Sequence, residues 1–475
     1  MQPVPDLRNP LIGSITLNWA PRAIAAPYFM RTCDHPSLGE TMTRFTALLL
    51  VLALPAMAMA ADMPAGYGPA PDLPKPDQGL FPTVNIAPAA QWREGAGPTP
   101  APGLRVMRFA DGLAHPRWLH VLPNGDVLVA ETGAPRQPED GKGLKGFVAR
   151  LIMSRAGAVV KSADRITLLR DADGDGVAEL RTHFIQGLHS PVGMALIGDT
   201  LFVANTNAIL AFPYVPGATR IEAKGRVLTE LPGGLINHHW TKTLQASADG
   251  RFLFATVGSN SNIAENGLEA EEGRAAIWRI EVATGQKRLF ATGLRNPVGM
   301  DIEPTSGALW TAVNERDEIG DDLPPDYMTA VQDGGFYGWP WSYYGPHVDP
   351  RVTPARPDMV ATALAPDYAL GGHTAPLGLA FSRGAAAMPA AFADGAFVGQ
   401  HGSWNRSDLS GYAVIFIPFA NGVPAGPPRD VLTGFVDARG DAQGRPVGVA
   451  IAGDGALLAA DDVGNAVWRV DRAPN

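Results

Sequence analysis

The feature that most constrains the fold is a unit of two short apolar strands that recurs six times along the chain. Each copy begins at a polar residue, usually close to a proline, and turns at a Gly or Asp-Gly before a second apolar strand ends in polar residues. The six copies begin at His115, Ser190, His239, Asn296, Ala375 and Arg445. Few segments have helical periodicity, and further strand-like stretches follow most copies. Repeats of about four short strands are typical of β-propellers, so six copies predict an all-β, six-bladed β-propeller.

The segment before the first copy is expected to close this propeller. Residues 104–113 (LRVMRFADGL) have a strand pattern of their own and no partner within their own unit. We therefore expect them to supply the last strand of the last blade, which sets the propeller domain at residues 104–475.

The first 103 residues carry different signals. Residues 42–60 have the organisation of a secretory signal peptide, with a basic start, an apolar run and the small-x-small site Ala58-Met59-Ala60. The apolar run is shorter than the about 20 residues that span a bilayer, and the alternative is a buried strand or helix. Residues 1–41 are interpreted as an over-extended start. Residues 61–103 are a proline-rich leader that is wrapped on the propeller or tethers it.

Charge and cysteine content narrow the function classes. The only cysteine, Cys33, precedes the predicted cleavage site, so the mature chain has no disulfide or cysteine metal site. An exported chain without cysteine is expected in the periplasm, and no apolar run predicts a membrane span. The net charge of −9 and the absence of basic runs disfavour nucleic acid as a partner.

The repeat places polar side chains at one mouth of the central channel. Antiparallel pairing brings the start of each inner strand beside the end of its partner. The starts are His115, Ser190, His239, Asn296, Thr374 and Arg445, with Arg295 and His373 one step upstream. The ends are Glu131, Asn205, Asn260, Asn314, His401 and Asp461. His239 is thus expected at the same edge of the sheet as Ser259 and Asn260. Such a ring predicts a binding or catalytic site, and the alternative is a polar, water-filled channel end.

Within the ring, His239 is the candidate general base, because an imidazole can take a proton from a hydroxyl near neutral pH. The alternative is a structural histidine. Arg295, Arg406 and Arg445 are candidates to pair with an anionic ligand, since guanidinium groups bind carboxylates in a bidentate manner. The alternative is that each arginine bridges neighbouring blades.

Two acidic stretches suggest calcium. In residues 171–179 (DADGDGVAE), the carboxylates have spacings partly like those of a calcium loop, and a solvated turn is the alternative. In the second stretch, Asn314, Glu315 and Asp326 are candidates to hold calcium near the mouth, or belong to an acidic surface loop. The aromatic turn at residues 333–346 follows, with rings that flank a flat ligand or fill the gap between blades.

Several motifs together resemble the soluble glucose/sorbosone dehydrogenases, a family of six-bladed propellers that use pyrroloquinoline quinone (PQQ). The motifs are LRNPVGM (294–300), GGFYGWP (334–340), HWTKT (239–243), DGRFLFATVGSNSN (249–262), QHGSWNR (400–406) and the closing segment 445–470. The resemblance covers residues 104–473, and the L-sorbosone-dehydrogenase-type branch looks nearest.

The resemblance implies that this chain oxidises a sugar or a related alcohol or aldehyde by hydride transfer to the quinone. His239 matches the family's base and Arg295 the arginine at the reactive carbonyls. Asn296, Arg406, Arg445 and Asp461 fall at or near cofactor positions. Asn314 and Glu315 fall where the family places calcium ligands, and Asp326 is placed with them. A soluble cytochrome or quinone is the implied electron acceptor.

Departures from the family pattern bear on the substrate and on cofactor binding. His238 stands where the glucose-oxidising branch has an Asp, Val447 replaces a second arginine, and Tyr327 replaces a Glu of the calcium loop. Two other classes stay open from the residues alone. One is a calcium-dependent lactone hydrolase, for which the ring offers mainly Glu131 and Asp461. The other is a non-enzymatic propeller that binds glycans or proteins.

Overall fold

The computed structural model of the chain describes residues 63–77, 83–135, 154–157 and 160–474. The predictions for residues 1–60, including the signal peptide and Cys33, lie outside the described residues. No helix within the described ranges is long and apolar enough to cross a membrane.

The first strands along the chain do not form a blade of their own; they are β1 (Tyr67–Gly68), β2 (Thr99–Pro100) and β3 (Leu104–Ala110). Blade 1 contains β4 (Pro116–Val121), β5 (Val127–Glu131), β6 (Arg165–Arg170) and β7 (Leu180–Gln186). Blade 2 contains β8 (Met194–Ile197), β9 (Thr200–Ala204), β10 (Ala208–Pro213) and β11 (Arg226–Glu230). Blade 3 contains β12 (Leu244–Ala246), β13 (Phe252–Val257), β14 (Ala276–Glu281) and β15 (Lys287–Thr292).

The later blades carry insertions. Blade 4 contains β16 (Asn296–Ile302), β17 (Leu309–Asn314), β18 (Pro325–Ala330) and β21 (Tyr368–Gly372), with the hairpin β19 (Ser342–Tyr343) and β20 (His347–Val348) inserted. Blade 5 contains β22 (Pro376–Phe381), β23 (Gly395–Gln400), β24 (Ala413–Ala420), β25 (Val423–Pro424) and β26 (Arg429–Thr433). Blade 6 contains β27 (Pro446–Ile451), β28 (Leu457–Asp461) and β29 (Ala466–Arg472). Short helical turns lie at Leu268–Glu271, Pro357–Val360 and Ala390–Phe392.

The predicted six-bladed propeller is confirmed, and so is its closing strand. The six inner strands β4, β8, β12, β16, β22 and β27 contact one another in that order, and β27 returns to β4. β3 pairs antiparallel with β29 and completes blade 6. The ring is therefore closed by hydrogen bonds between the two ends of the propeller, which leaves no open edge there.

Glycine lets the inner strands approach one another. Four blades carry glycine three positions after the residue that begins their copy of the repeat, at Gly193, Gly299, Gly378 and Gly448. A Cβ on Gly299 would lie 2.7 Å from Leu377 O of the next blade, and one on Gly448 would lie 2.8 Å from Arg117 O. Blades 1 and 3 have Trp118 and Lys242 at this position instead.

The hydrophobic core is divided into six clusters, each between two neighbouring blades. Alternate residues of one strand belong to different clusters, because successive side chains of a strand point to opposite faces. Leu457 of β28 packs toward blade 5, whereas Leu458 packs toward blade 1. Both faces are buried, which explains the continuous apolar runs seen in the sequence.

The described part of the leader is wrapped on the propeller. β1 pairs with the outer strand β21 of blade 4, and β2 pairs with β26 of blade 5. Between them, Asn85 N donates to Trp404 O at 3.0 Å, and Ala90 N donates to Ala442 O at 2.8 Å. The Trp92 ring packs edge-on against Phe435 and Trp468. The leader thus follows the loops of blades 5 and 6 that border the mouth.

Candidate active site

His239 lies on the segment that enters blade 3, ahead of the inner strand. The sequence placed the start of this strand at the histidine pair, but β12 begins only at Leu244. The reason is that Gly193 N donates to Lys242 O, so the preceding backbone bonds to the neighbouring blade rather than to its own sheet. His239 is therefore presented by a loop at the mouth, and its neighbour His238 is exposed.

The hydrogen bonds of His239 determine which ring nitrogen is available. Nδ1 lies 2.8 Å from Ser259 O and 3.0 Å from Ser259 Oγ, which agrees with the predicted position beside Ser259. A carbonyl only accepts, so Nδ1 carries the proton and Nε2 keeps its lone pair. Burial, and after it the charge of Arg295, lowers the pKa of His239 to about 3. At neutral pH the imidazole is uncharged and able to accept a proton.

Gly258 brings His239 and Asn296 side by side. A Cβ at Gly258 would lie 2.5 Å from His239 Cβ and closer still to Asn296 Oδ1. Only a residue without a side chain leaves both groups where they are. Asn296 Oδ1 is buried and has no hydrogen-bond partner among the described residues.

Arg295 is held rigidly behind this pair. Its Nη1 donates to Glu315 O at 2.6 Å, and its Nη2 donates to Asn262 Oδ1 at 3.1 Å and to Asp317 Oδ2 at 2.8 Å. His373 Nδ1 lies 3.5 Å from the other oxygen of Asp317. Burial by itself raises the pKa of Asp317, but Arg295 and His373 outweigh it and hold the pKa below its ordinary value. The guanidinium is thus fixed by an ionised carboxylate, while its Nε has no partner.

A second cluster at the mouth is centred on Asp462. Its Oδ2 accepts from Arg117 Nη1 at 2.7 Å, lies 2.9 Å from His401 Nε2 and lies 3.6 Å from His115 Nε2. Burial raises the pKa of Asp462, but these three neighbours outweigh burial and hold it well below its usual range. Burial also lowers the pKa of both histidines. Blades 1, 5 and 6 therefore meet around one ionised carboxylate.

The remaining predicted arginines both contact other loops. Arg445 Nη2 donates to Ala87 O of the leader at 2.8 Å, and its guanidinium carbon lies 5.5 Å from the centre of the Tyr412 ring. Arg406 Nη2 donates to Asp322 of blade 4 at 2.6 Å. Arg445 is almost fully buried and Arg406 partly so, and the Nε of each is buried without a partner. Each side chain thus makes a bridging contact and keeps one donor uncommitted.

Asp461 does not reach the mouth as the sequence predicted. Its Oδ1 accepts from the backbone N–H of Arg445 and Gly464, and its Oδ2 accepts from the indoles of Trp92 and Trp468. The side chain is fully buried, and these four donors occupy it. Successive side chains along an extended segment point to opposite sides, and the next residue along the chain, Asp462, contributes the carboxylate at the mouth.

Of the residues predicted to hold calcium in blade 4, Glu315 and Asp326 are buried and Asn314 is half-buried, which fits an acidic surface loop poorly. Asn314 Nδ2 donates to Pro376 O at 2.9 Å, Glu315 Oε1 accepts from Arg316 N at 2.9 Å, and Asp326 Oδ1 accepts from Glu315 N at 2.8 Å. Burial raises the pKa of Glu315 to about 8 and that of Asp326 to about 6. These three side chains mainly tie backbone segments together, and their role as calcium ligands stays a prediction.

The acidic stretch at 171–179 forms a compact turn between the outer strands of blade 1. Among the described residues, this turn has the only group of three or more potential metal ligands whose ligand atoms all lie within 4.8 Å of one another. The group consists of Asp171, Asp173, Asp175 and Glu179. Their carboxylates accept backbone N–H groups within the same turn. The turn is mostly exposed, and calcium binding there stays a prediction.

The aromatic turn at 333–346 fills space rather than lining the mouth. Tyr337, Tyr343 and Tyr344 are buried in the cluster between blades 3 and 4. Trp339 Nε1 donates to Asn262 O at 2.9 Å and so supports the residue that anchors Arg295.

Sequence reasoning missed Arg117, Asn262, Asp317 and Asp462 as site residues. Asp317 belongs to the acidic stretch that the sequence had singled out, and Asp462 directly follows a predicted residue. Their roles depend on partners from other blades, which no local pattern reveals.

Comparison with known proteins identifies the family. The TrAA12-like family model matches residues 151–330 and 358–473, which together are more than half of the 475 residues. The chain belongs to the TrAA12-like family. A relative of this TrAA12-like protein, the pyrroloquinoline quinone-dependent pyranose dehydrogenase of Coprinopsis cinerea, is 26% identical over 363 residues. The match covers 67% of this chain but only 44% of that enzyme.

Solved structures support the same fold for the TrAA12-like chain. A Trichoderma reesei Carbohydrate-Active Enzymes Family AA12 protein has a TM-score of 0.65 at 19% identity, covering 83% of this chain and 100% of that one. The holo PQQ domain of the C. cinerea pyranose dehydrogenase has a TM-score of 0.63 at 22% identity, covering 82% of this chain and 100% of that domain.

Proposed function

We propose that this TrAA12-like protein is a PQQ-dependent dehydrogenase of sugars or related alcohols and aldehydes. The observation that carries the proposal is the pairing at the mouth of an uncharged imidazole, His239, with a rigid guanidinium, Arg295. A hydroxyl that is oxidised must lose a proton as well as a hydride, and Nε2 of His239 is available to accept that proton. The C. cinerea relative is a PQQ-dependent pyranose dehydrogenase, which supports the choice of cofactor.

The residues at the mouth fit a planar polycarboxylate such as PQQ. Buried polar groups normally have hydrogen-bond partners, so a concentration of unpartnered atoms points to a missing polar ligand. Among the described residues at this mouth, the unpartnered atoms include the Nε of Arg117, Arg295, Arg406 and Arg445, and three acceptors, the Oδ1 of Asn260, Asn296 and Asp462. Four guanidinium donors suit carboxylate and carbonyl oxygens, and the Asn296 carbonyl suits a ring N–H.

Each side chain then has a defined task. Arg295 and Asn296 would hold the reactive end of PQQ beside His239, and Arg445, Arg406 and Arg117 would hold its carboxylates. When bound, PQQ supplies an ortho-quinone that accepts two electrons as a hydride. His239 orients the substrate hydroxyl and takes its proton at Nε2, while Ser259 O keeps the other ring nitrogen protonated. Arg295 adds a positive charge where negative charge develops.

The finer parts of the proposal concern substrate, metal and location. The family motifs favour a sorbosone- or aldose-type substrate, and His238 in place of an Asp argues against glucose itself. Calcium near Asn314, Glu315 and Asp326 belongs to the proposal through the family resemblance. We further propose export to the periplasm, where a soluble cytochrome or quinone would accept the electrons.

A calcium-dependent lactone hydrolase is less well supported by the geometry. It requires several carboxylates directed at a metal in the channel. Glu131 instead forms a salt bridge with Arg165 and accepts from Thr167 and Ala114 N, and Asp461 is occupied by four donors. Both side chains are fully buried.

An absorbance titration of the mature protein with PQQ, with and without calcium, tests the proposal. The same samples are assayed for dye reduction with a panel of aldoses, sorbosone and simple aldehydes, and for hydrolysis of a lactone. Saturable binding and dye reduction by any member of the panel is the expected result. Absence of binding at micromolar PQQ would refute the proposal, and lactone hydrolysis under those conditions would favour the hydrolase.

A further inference from the structure

Lys242 is a buried basic residue with an unusual set of partners, and burial, with the charge of Arg274, lowers its pKa well below the ordinary value. Its side chain is fully buried, at the position where four other blades have glycine. Nζ lies 3.3 Å from His239 O and 3.3 Å from Trp240 O. Within the described ranges, Lys242 forms no salt bridge with a carboxylate, although buried lysines are normally paired.

A second buried basic residue, Arg274, hydrogen-bonds to the same part of the chain. Arg274 donates through Nη1 to Gly258 O at 3.2 Å, and through Nη2 to Gly233 O at 2.7 Å and Asn237 Oδ1 at 2.9 Å. Glu271, which lies near enough to affect Arg274 electrostatically, accepts from Asn260 N and the Ser261 hydroxyl instead. Arg274 therefore also donates mainly to backbone carbonyls.

This arrangement is a poor way to stabilise the fold. Removing an ammonium from water is costly, and carbonyl oxygens compensate for less of that cost than a carboxylate would. An unbranched apolar side chain of similar length would fill the same space without that cost. The role of the buried Lys242 is therefore geometric rather than stabilising.

The geometry concerns two consecutive peptide groups. Nζ of Lys242 donates to the carbonyls of His239 and Trp240 together, and Thr206 Oγ1 also donates to Trp240 O, at 2.9 Å. The first of these peptide groups starts at the Cα of His239, so holding its carbonyl restricts the ψ angle of His239 and with it the direction of the side chain. Ser259 then holds the ring through Nδ1, and Arg274 holds Gly258, on whose backbone the imidazole rests.

We infer that Lys242 is a positioning residue for His239, setting the direction of the catalytic imidazole through the His239 and Trp240 carbonyls. The inference rests on the proposed function of His239 as the base. Reaction rates depend steeply on the placement of reacting groups, so a small rotation of the imidazole lowers turnover even when substrate and cofactor still bind.

The test compares Lys242→Met with Lys224→Met, a matched control at an exposed lysine of the loop that precedes β11. We expect Lys242→Met to lower kcat at least tenfold with KM and the PQQ dissociation constant within twofold of wild type and Tm unchanged or higher. Lys242→Gln, which keeps two N–H donors, should lose less of kcat. The control should match wild type throughout.

A second readout does not depend on cofactor or turnover. In histidine-selective ¹⁵N NMR of the cofactor-free protein, the His239 signals, assigned by their loss in His239→Ala, should shift in Lys242→Met but not in the control.

The outcomes distinguish a failure of the inference about Lys242 from a failure of the proposed function. Unchanged kcat or unchanged His239 signals in Lys242→Met overturn the inference alone, as does a parallel loss of kcat, PQQ binding and Tm, which indicates general structural damage. An inactive wild type that does not bind PQQ refutes the proposed function and, with it, the inference.

Discussion

Replacing Gly258 with alanine changes the site by one methyl group. The φ of Gly258 lies outside the left-handed region, so the backbone itself tolerates alanine. The new Cβ would lie 2.5 Å from His239 Cβ, whereas ordinary contacts of a Cβ are 3.4–4 Å. His239 must therefore retreat by about 1 Å, a displacement that can lower the rate about 10²-fold. Asn296 Oδ1 is crowded from the same point.

The expected cost to stability is smaller. One extra methyl in a well-packed site costs about 1–3 kcal/mol, which leaves a protein of ordinary stability folded. We therefore expect Gly258→Ala to keep the native circular dichroism spectrum and a cooperative melt. Its kcat in the dye-reduction assay should fall about 10²-fold.

Gly426→Ala is the matched control. It lies between the outer strands β25 and β26, and its Cβ would meet only Pro418 Cγ, at 3.3 Å. We expect wild-type turnover from this variant. Wild-type turnover and an unshifted melt in Gly258→Ala would refute the reasoning, because His239 would then not rest on this backbone.

Three further predictions follow from the same site. His239→Ala should lower kcat by about 10²–10⁴-fold with PQQ affinity retained. His183→Ala, at an exposed histidine of β7, should have no effect. If His239→Ala has the same turnover as wild type, His239 is not the base. Arg445→Ala should weaken PQQ binding at least tenfold in the absorbance titration, with Arg445→Lys in between, and unchanged affinity would take Arg445 out of the cofactor site. Asp462→Asn should destabilise the fold by about 3 kcal/mol in urea unfolding at pH 7, because His401 and Arg117 lose their common ionised acceptor. The folded pKa of Asp462 lies below its ordinary value of 3.8, so its contribution to the free energy of unfolding is complete above pH 3.8 and is lost as the pH falls toward the folded pKa. If the difference in unfolding free energy between wild type and Asp462→Asn does not shrink below pH 3.8, this reasoning is contradicted.

The architecture was predictable from the amino-acid sequence, and so was the grouping of polar side chains at one mouth of the channel. Six copies of one strand pair can bury their apolar faces only against one another, so a closed ring with a strand borrowed from before the first copy was predictable. The polar start of each inner strand places its side chain at one mouth whatever the details of packing. That argument was enough to bring His239 beside Ser259.

Tertiary structure alone decided which neighbouring side chains face the ligand and which support the scaffold. Asp461 and Asp462 are neighbours in the chain, yet Asp461 accepts from two backbone N–H groups and two indoles, whereas Asp462 faces Arg117 and His401. The sequence could also not show that blade 4 buries Glu315 and Asp317, or that Ala87 of the leader accepts from Arg445. These partners are distant along the chain, and only the closed ring brings them within hydrogen-bond distance.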